Sequence, residues 1–181
     1  TAVLDVGCGT GRQVAANREA LPDGFIVGSD LFMGMLRVAA KNERGERWVQ
    51  SDGSSLGFGN DSLDYVTNQF SYAHIRNKSH FVAEVYRILK PGGRFAITNI
   101  DPWAMDNWVI YRYFPAARTL DHEDFLPVET LTEIFSDVGF QNISITRTDM
   151  SKRERLGDFL AYAEDRSRSS HFIAMTDREY E

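Results

Sequence analysis

The first hundred residues alternate short apolar runs with amphipathic stretches, and this alternation limits the folds that the chain can adopt. Within the amphipathic stretches, apolar residues recur at helical spacing, as Phe32, Leu36 and Ala40 do. Five runs have the length of a strand, at residues 2–6, 25–28, 48–50, 63–67 and 95–98. Strands that alternate with helices pair in parallel through helical crossovers, which cover both faces of the sheet. The pattern therefore predicts an α/β fold with a doubly wound sheet.

The residues after position 100 are patterned less regularly. Asp101 and Pro102 have the order of an N-cap and a first helical residue, and Pro115 would end that helix. An apolar helical stripe runs through residues 131–138 up to Gly139, a residue that suits a helix C-terminus. Residues 143–146 alternate apolar and polar side chains, which predicts a sixth strand, and residues 155–165 predict a helix. Residues 171–175 could form a strand, but a capping-box pattern at 176–179 favours a helical region there.

The composition is typical of one globular domain with a hydrophobic core. The 181 residues are 43% hydrophobic and 25% charged, which excludes a disordered or fibrous chain. No apolar stretch reaches the roughly 18 residues of a membrane span, and no signal pattern opens the sequence. The single cysteine, Cys8, predicts a reducing, cytoplasmic location. We expect no metal site, because Cys8 and the four scattered histidines lack zinc-ligand spacing, and the net charge of −6 disfavours nucleic acid as a partner.

Three glycines at alternate positions, Gly7, Gly9 and Gly11, separate the first strand from the helix after it. Glycine lets a backbone approach a ligand closely, and in a doubly wound sheet this loop lies where ligands bind, at the carboxyl ends of the strands. Asp30 follows the second strand, where a carboxylate can accept hydrogen bonds from both hydroxyls of a ribose. The loop and this acid together predict a site for a ligand that contains a nucleoside.

The loop differs from the dinucleotide fingerprint G-x-G-x-x-G, which requires its third small residue at position 12. That position holds Arg12, and the third glycine comes one place earlier, at Gly11. The fingerprint directs a helix N-terminus at a pyrophosphate, which a ligand without phosphate does not need. The register therefore disfavours a nicotinamide-dependent oxidoreductase, which stays an alternative.

With these features, residues 3–98 resemble the class I S-adenosylmethionine-dependent methyltransferases, especially the small-molecule enzymes with a D-x-G-x-G-x-G loop. Four stretches carry the resemblance, in the family's order: the glycine loop with Asp5, then Asp30, Gln-Ser-Asp-Gly at 50–53, and Arg-Ile-Leu-Lys-Pro-Gly-Gly at 87–93. The family's sheet is Rossmann-like, with strand order 3-2-1-4-5-7-6 and an antiparallel seventh strand. Compared with that pattern, we expect residues 1–181 to be a single domain that lacks the family's N-terminal helices. If the capping box opens a helix, the domain also lacks the last strand. Residues 1–100 would be its cofactor-binding half and residues 101–181 its acceptor-side half.

The resemblance also implies the cofactor, S-adenosylmethionine, and the residues that bind it. The glycine loop would line the methionine part with Asp5 near its amino group, Asp30 would bind the ribose, and Asp52 would accept from the adenine amine. Asn68 and Gln69, at the end of the fourth strand, would face the methionine chain and the methyl donor, and Met35 or Leu31 would lie against the adenine. The expected cofactor-binding residues are Asp5, Gly7, Cys8, Gly9, Thr10, Gly11, Asp30, Leu31, Met35, Ser51, Asp52, Gly53, Asn68 and Gln69.

The predicted activity is transfer of a methyl group from S-adenosylmethionine to a small-molecule acceptor, with S-adenosylhomocysteine as the product. Because the sulfonium is already activated, the protein must mainly hold the acceptor in line with the methyl group and exclude water. A general base is needed only for a protonated acceptor, and His74 is the weak candidate, although a surface histidine is the commoner explanation.

Other interpretations of the sequence stay open. A protein that binds S-adenosylmethionine without catalysis is one, because methyl transfer requires no obligatory catalytic residue. The aromatic residues between positions 103 and 114 would either line an acceptor pocket or form core. The acceptor atom and the oligomeric state are not predicted.

Overall fold

The computed structural model describes residues 1–43, 45–149 and 153–180, and within them five parallel strands form one sheet. The strands are β1 Ala2–Val6, β2 Phe25–Asp30, β3 Arg47–Gln50, β4 Leu63–Gln69 and β5 Leu89–Thr98. Their order is β3-β2-β1-β4-β5, and every neighbouring pair is parallel. The predicted α/β fold is confirmed, and so are the first five places of the expected strand order.

Helices pack on the sheet because its central strands are apolar on both faces. The first three are α1 Arg12–Ala20, α2 Met33–Asn42 and α3 Lys78–Ile88. One core cluster joins Val3 and Ile26 of the sheet to Val14 of α1 and Leu36 of α2. Burial on both faces explains why β1 is apolar at nearly every position.

The chain forms two compact units. The first consists of Thr1–Ile100 and Glu129–Gln141, and it contains the whole sheet; the second consists of Asp101–Val128 and Asn142–Glu181. The later helices are α4 Val109–Tyr113, α5 Pro115–Asp124, α6 Val128–Val138, α7 Leu156–Ala163, α8 Ser170–Ala174 and α9 Asp177–Tyr180. The assignment of cofactor and acceptor to separate halves of the chain stays a prediction.

The second unit has a core of its own, built on aromatic residues. Tyr111 and Phe172 are buried in it, and Trp108 and Phe114 pack against them. Trp108, Tyr111 and Phe114, which belong to the stretch 103–114, are therefore part of this core. The Tyr111 hydroxyl donates to Asp121 Oδ2 at 2.6 Å, and the other oxygen of this buried carboxylate lies 2.7 Å from His171 Nε2.

The single helix predicted between Asp101 and Pro115 is wrong, although both of its predicted boundaries are confirmed. Asp101 opens only a single 3-10 turn, Pro102–Ala104, and does not cap it with its side chain, which accepts from Arg147 Nε at 3.0 Å instead. Pro115 comes directly after Phe114, the C-cap of α4, and it also begins α5. A proline is equally suited to both places, because the first helical residue has no intrahelical use for its N–H.

The expected sixth strand at residues 143–146 is also wrong. These residues are exposed and form no strand, although Ile143 and Ile145 alternate with polar side chains. Alternation becomes a strand only when a neighbouring backbone completes the hydrogen-bonded ladder. The described residues contain neither the sixth nor the seventh strand of the family's sheet.

Other patterns of the sequence are confirmed in full or in part. Helix α3 ends at Ile88, as the Lys-Pro-Gly-Gly sequence predicts, but β5 begins at once and not at Phe95. Its first residues are accommodated by an irregular register between Leu63 and Tyr65 of β4. Residues 171–174 lie in α8 with Met175 as its C-cap, and one of the two hydrogen bonds of the capping box forms at α9, where the Thr176 N–H donates to Glu179 Oε2 at 2.9 Å.

Helix α6 ends in a Schellman motif, as Gly139 predicts. The N–H of Gly139 donates to Ser136 and that of Phe140 to Phe135, both at 3.0 Å, while the two phenylalanine rings lie 5.2 Å apart. Gly139 has φ +116°, and a Cβ there would lie 2.9 Å from the Tyr86 hydroxyl.

The substitution Gly139→Ala should lower the free energy of unfolding by about 1–2 kcal/mol, because alanine disfavours this left-handed backbone. Gly57→Ala is the matched control, since Gly57 has ordinary φ and no heavy atom within 4 Å of the added Cβ. Urea unfolding of both variants measures the difference, and equal effects would contradict the explanation.

Candidate functional site

The glycine loop joins β1 to α1 at the carboxyl edge of the sheet. Its glycines all have positive φ: +69° at Gly7, +55° at Gly9 and +94° at Gly11. The loop is anchored to β2 by the Cys8 N–H, which donates to the Ser29 carbonyl at 2.9 Å. This backbone requires residues without a Cβ, which explains why glycine recurs at alternate positions.

The three glycines have different surroundings. A Cβ at Gly7 would collide with Ser71 Oγ, and one at Gly11 would lie 2.9 Å from the Trp48 ring. A Cβ at Gly9 would meet no heavy atom within 4 Å. Close approach of a ligand, the expected role of all three, therefore fits Gly9, whereas Gly7 and Gly11 are needed for packing within the protein.

Asp30 connects this loop to the end of β2. Its Oδ2 accepts from the Gly9 N–H and its Oδ1 from the Phe32 N–H, both at 2.9 Å. The residue is 9% exposed. An ionised carboxylate offers about four acceptor positions, so two remain for the hydroxyls of a ligand.

Asp5 is buried on β1 beside polar residues of two other elements. Its Oδ1 accepts from the Thr67 hydroxyl at 2.7 Å, and that hydroxyl accepts from Asn17 Nδ2 at 3.4 Å. Burial raises the pKa of Asp5 to about 7; the Thr67 hydrogen bond opposes this rise and the charge of Asp30 adds to it. Sequence reasoning missed Thr67 and Asn17, although Asn17 follows the buried Val14 by three positions and so shares its helix face.

Asn68 lies buried at the end of β4, next to the glycine loop. Its Nδ2 donates to the Val6 carbonyl at 3.0 Å and to Ser71 Oγ at 2.7 Å. Its Oδ1 is buried and has no hydrogen-bond partner among the described residues. An orphaned acceptor of this kind costs about 1–3 kcal/mol, which a ligand donor would recover.

Phe70 was not singled out by the sequence, yet its backbone is unusual. Its φ is +54°, a region that costs an ordinary residue roughly 1–2 kcal/mol. Its N–H donates to the Thr98 carbonyl of β5 at 2.9 Å, and the residue is 47% exposed. No pattern in the sequence announces this conformation, because the contacts that impose it come from other strands.

The segment after β3 holds the residues expected near adenine. The Ser51 N–H donates to the Asp30 carbonyl at 3.1 Å, while Ser51 Oγ is buried without a partner among the described residues. Asp52 is exposed, and its Oδ1 accepts from the N–H and the hydroxyl of Ser54, both at 2.8 Å. These hydrogen bonds lower the pKa of Asp52. Gly53 faces Phe81, since a Cβ there would lie 3.2 Å from its ring.

The remaining predicted residues vary in exposure. Leu31 and Met35, which the resemblance assigns to the adenine, are exposed apolar residues at the start of the α2 region, and Thr10 of the loop is exposed. Cys8 is buried in the core, and burial raises the pKa of its thiol to about 12, which suits a packing role. Gln69 ends β4 half-buried.

The weak catalytic candidate, His74, lies in the 3-10 turn Tyr72–His74 with its side chain exposed. The structure thus joins Asp30 to Gly9, Asp5 to Thr67, and Asn68 to the loop through Ser71. The ligand contacts of all these residues stay predictions.

These residues suit the parts of S-adenosylmethionine. The open backbone at Gly9 leaves space, Asp30 keeps acceptor positions for a ribose, and Asn68 Oδ1 can accept from an ammonium group. Exposed apolar Leu31 and Met35 suit the face of a base.

Comparison with known proteins identifies the family of the chain. Residues 4–97 match the family described as "Methyltransferase domain". The chain belongs to this family. It is a class I S-adenosylmethionine-dependent methyltransferase, and the choice against a nicotinamide-dependent oxidoreductase is made by that match.

Two curated relatives are similar to this chain in sequence, and a solved structure is similar to it in fold. The demethylmenaquinone methyltransferase of Lactobacillus johnsonii is 28% identical in an alignment that covers 81% of this chain and 70% of that protein. The ubiquinone/menaquinone biosynthesis C-methyltransferase UbiE of Desulfotalea psychrophila is 33% identical over 113 residues, which cover 61% of this chain and 45% of that protein. A SAM-dependent methyltransferase from Aquifex aeolicus has the same fold, with a TM-score of 0.64 at 18% identity over 77% of this chain and 72% of that one.

The helices of the methyltransferase are short. Within the described ranges, none is long and apolar enough to cross a membrane.

Asp30→Asn should weaken binding of S-adenosylhomocysteine at least about tenfold, because an amide loses the negative charge and half of the acceptor positions. Titration calorimetry measures the Kd. Asp23→Asn is the control, since Asp23 is an exposed carboxylate in the turn before β2, at the opposite edge of the sheet. Unchanged affinity in Asp30→Asn would remove Asp30 from the site.

The raised pKa of Asp5 predicts a pH dependence of stability. Between the ordinary value of 3.8 and about 7, the folded protein binds a proton that the unfolded chain has lost, so the free energy of unfolding falls as the pH rises through this window. Asp5→Asn keeps an acceptor for Thr67 but cannot ionise.

Urea unfolding at pH 5 and pH 8 should show a smaller fall in the Asp5→Asn variant than in the wild type, by on the order of 1–3 kcal/mol. Groups that titrate in both proteins cancel in this comparison. Parallel pH curves would show that Asp5 ionises normally.

Proposed function

We propose that this methyltransferase methylates a ring carbon of a quinone-type small molecule. The observation that carries the proposal is the likeness to demethylmenaquinone methyltransferase over 81% of the chain. The second relative is by name a C-methyltransferase of ubiquinone and menaquinone biosynthesis, which favours carbon as the acceptor atom. The exposed ring of Phe70 at the carboxyl edge of the sheet is compatible with a planar apolar acceptor.

The acceptor in this proposal is the reduced form of the quinone. An oxidised quinone ring is poor in electrons, whereas methylation requires an electron-rich carbon. The reduced ring carbon gains the methyl group and loses its own proton, and no net oxidation takes place. S-adenosylmethionine supplies, when bound, a methyl group activated by a positively charged sulfur.

In this proposal, residues of the chain bind and orient S-adenosylmethionine. Asp30 accepts from the ribose hydroxyls with the positions that Gly9 and Phe32 leave unused. Asp5 lies near the amino group, Asn68 faces the methionine chain with its Oδ1, which has no partner among the described residues, and Asp52 accepts from the adenine amine.

Orientation of the reacting groups is the main contribution of the protein, and such positioning is worth about 7–11 kcal/mol of a barrier. Apolar side chains around the acceptor exclude water, which favours a nucleophile that neutralises positive charge. His74 stays a candidate base for the phenolic proton of a quinol, at the exposed turn after Ser71.

Turnover with reduced and oxidised acceptor tests the proposal. The purified chain, given S-adenosylmethionine and demethylmenaquinone reduced by dithionite, should release S-adenosylhomocysteine and a product heavier by one methylene group. The oxidised quinone should give neither product, as mass spectrometry will show.

Other results would assign another function. Binding of S-adenosylhomocysteine without transfer to any acceptor would favour the non-catalytic interpretation. Transfer to phenols or amines but not to the quinol would keep the methyltransferase and reject the quinone.

A further inference from the structure

Phe70 adopts a backbone conformation that bulky residues rarely adopt, directly after β4. Its φ of +54° is left-handed. The other described non-glycine residues with positive φ are Asp61 and Asn142, whose side chains tolerate this region. Phenylalanine has no such local compensation, so the surrounding structure must impose the conformation.

Contacts on both sides of Phe70 hold this backbone. Its own N–H is bonded to the Thr98 carbonyl of β5 at 2.9 Å. The next residue, Ser71, donates through Oγ to the Val6 carbonyl at 3.2 Å and accepts from Asn68 at 2.7 Å. Ser71 also fills the space beside Gly7 that a Cβ would need. Both neighbouring strands and the glycine loop therefore determine the turn.

The strain is not explained by burial of the ring. Phe70 is 47% exposed, whereas Asn68 and Tyr72 on either side are each 1% exposed. Asparagine or glycine would adopt the same backbone with less strain and without an apolar ring in water. A strained residue that the surroundings hold in place, and that the fold itself does not need, is typical of a functional site.

The position of Phe70 indicates which ligand it would meet. It lies at the carboxyl edge of β4, two residues after the orphaned acceptor of Asn68 and beside the turn that packs on Gly7. An aromatic ring at this edge can pack against another planar ring and keep water from it.

We propose that Phe70 is a specificity-determining residue whose ring packs against the ring of a planar aromatic acceptor. For the identity of that acceptor, a quinol, the inference rests on the proposed function. Phe70 acts on the acceptor and not on the cofactor, so its removal changes acceptor turnover while cofactor affinity is kept.

Two variants separate the ring from the backbone. Phe70→Asn removes the ring and tolerates the left-handed conformation, and Phe70→Leu keeps an apolar side chain without a ring. Phe25→Leu is the matched control, because Phe25 is 48% exposed and lies at the amino end of β2, the opposite edge of the sheet.

The measurements are kcat/KM with reduced demethylmenaquinone, the Kd of S-adenosylhomocysteine and the Tm. Phe70→Asn should lower kcat/KM at least about tenfold, and Phe70→Leu should lower it less. For both variants the Kd should stay within about twofold of wild type, and the Tm of Phe70→Asn should be unchanged or higher, because strain is relieved. Phe25→Leu should keep kcat/KM within about twofold, since it lies away from the site.

Several results would overturn the inference. One is equal kcat/KM in Phe70→Asn and wild type; another is a Kd that rises as far as kcat/KM falls, which would place Phe70 on the cofactor. If the wild type methylates a phenol or a catechol but no quinol, only the proposal of a quinone-type acceptor is rejected. The kcat/KM of the same variants with that phenol or catechol then decides the role of Phe70. A wild type that methylates only acceptors without a ring, or no acceptor at all, overturns both proposals.

Discussion

The hydrogen bond from the Gly9 N–H to the Asp30 carboxylate joins the loop after β1 to the end of β2, and the organisation of the site depends on it. Gly9 follows β1 and Asp30 ends β2, the strand that pairs with β1 in parallel. The other oxygen of Asp30 accepts from Phe32, just before α2 begins. One carboxylate thus orients both the glycine loop and the start of the next helix. Hydrogen bonds to a charged acceptor are stronger than those to a neutral one, which favours this conformation of the loop.

The energetic compromises of the first unit lie at this same edge of the sheet. Asn68 and Ser51 each bury a polar oxygen without a partner among the described residues, and Asp5 is buried with a raised pKa. Phe70 adds backbone strain and an exposed ring. A chain selected for stability alone would avoid all four features, and their concentration at the carboxyl edge, where we propose that the ligands bind, is typical of a functional site.

Local patterns predicted the fold where only one structure satisfied them. Apolar strands that alternate with amphipathic helices require a covered parallel sheet, and Gly139 suits the C-terminus that it forms. The same reasoning failed where one pattern suits two structures. Asp101 and Pro102 could open a long helix or a single 3-10 turn, and residues 143–146 lacked the neighbouring strand that would have made their alternation a ladder.

The sequence by itself determined the alternation of strands and helices that implies a parallel sheet, the glycine loop and the acid at Asp30, because each of these patterns is formed by residues close together in the chain. Tertiary structure alone decided that Gly9 is open while Gly7 and Gly11 are packed, that Thr67 supports Asp5, and that Phe70 is strained. The physical reason is distance along the chain. Asp5 and Thr67 are 62 residues apart, and they meet only because β1 and β4 pair side by side in parallel.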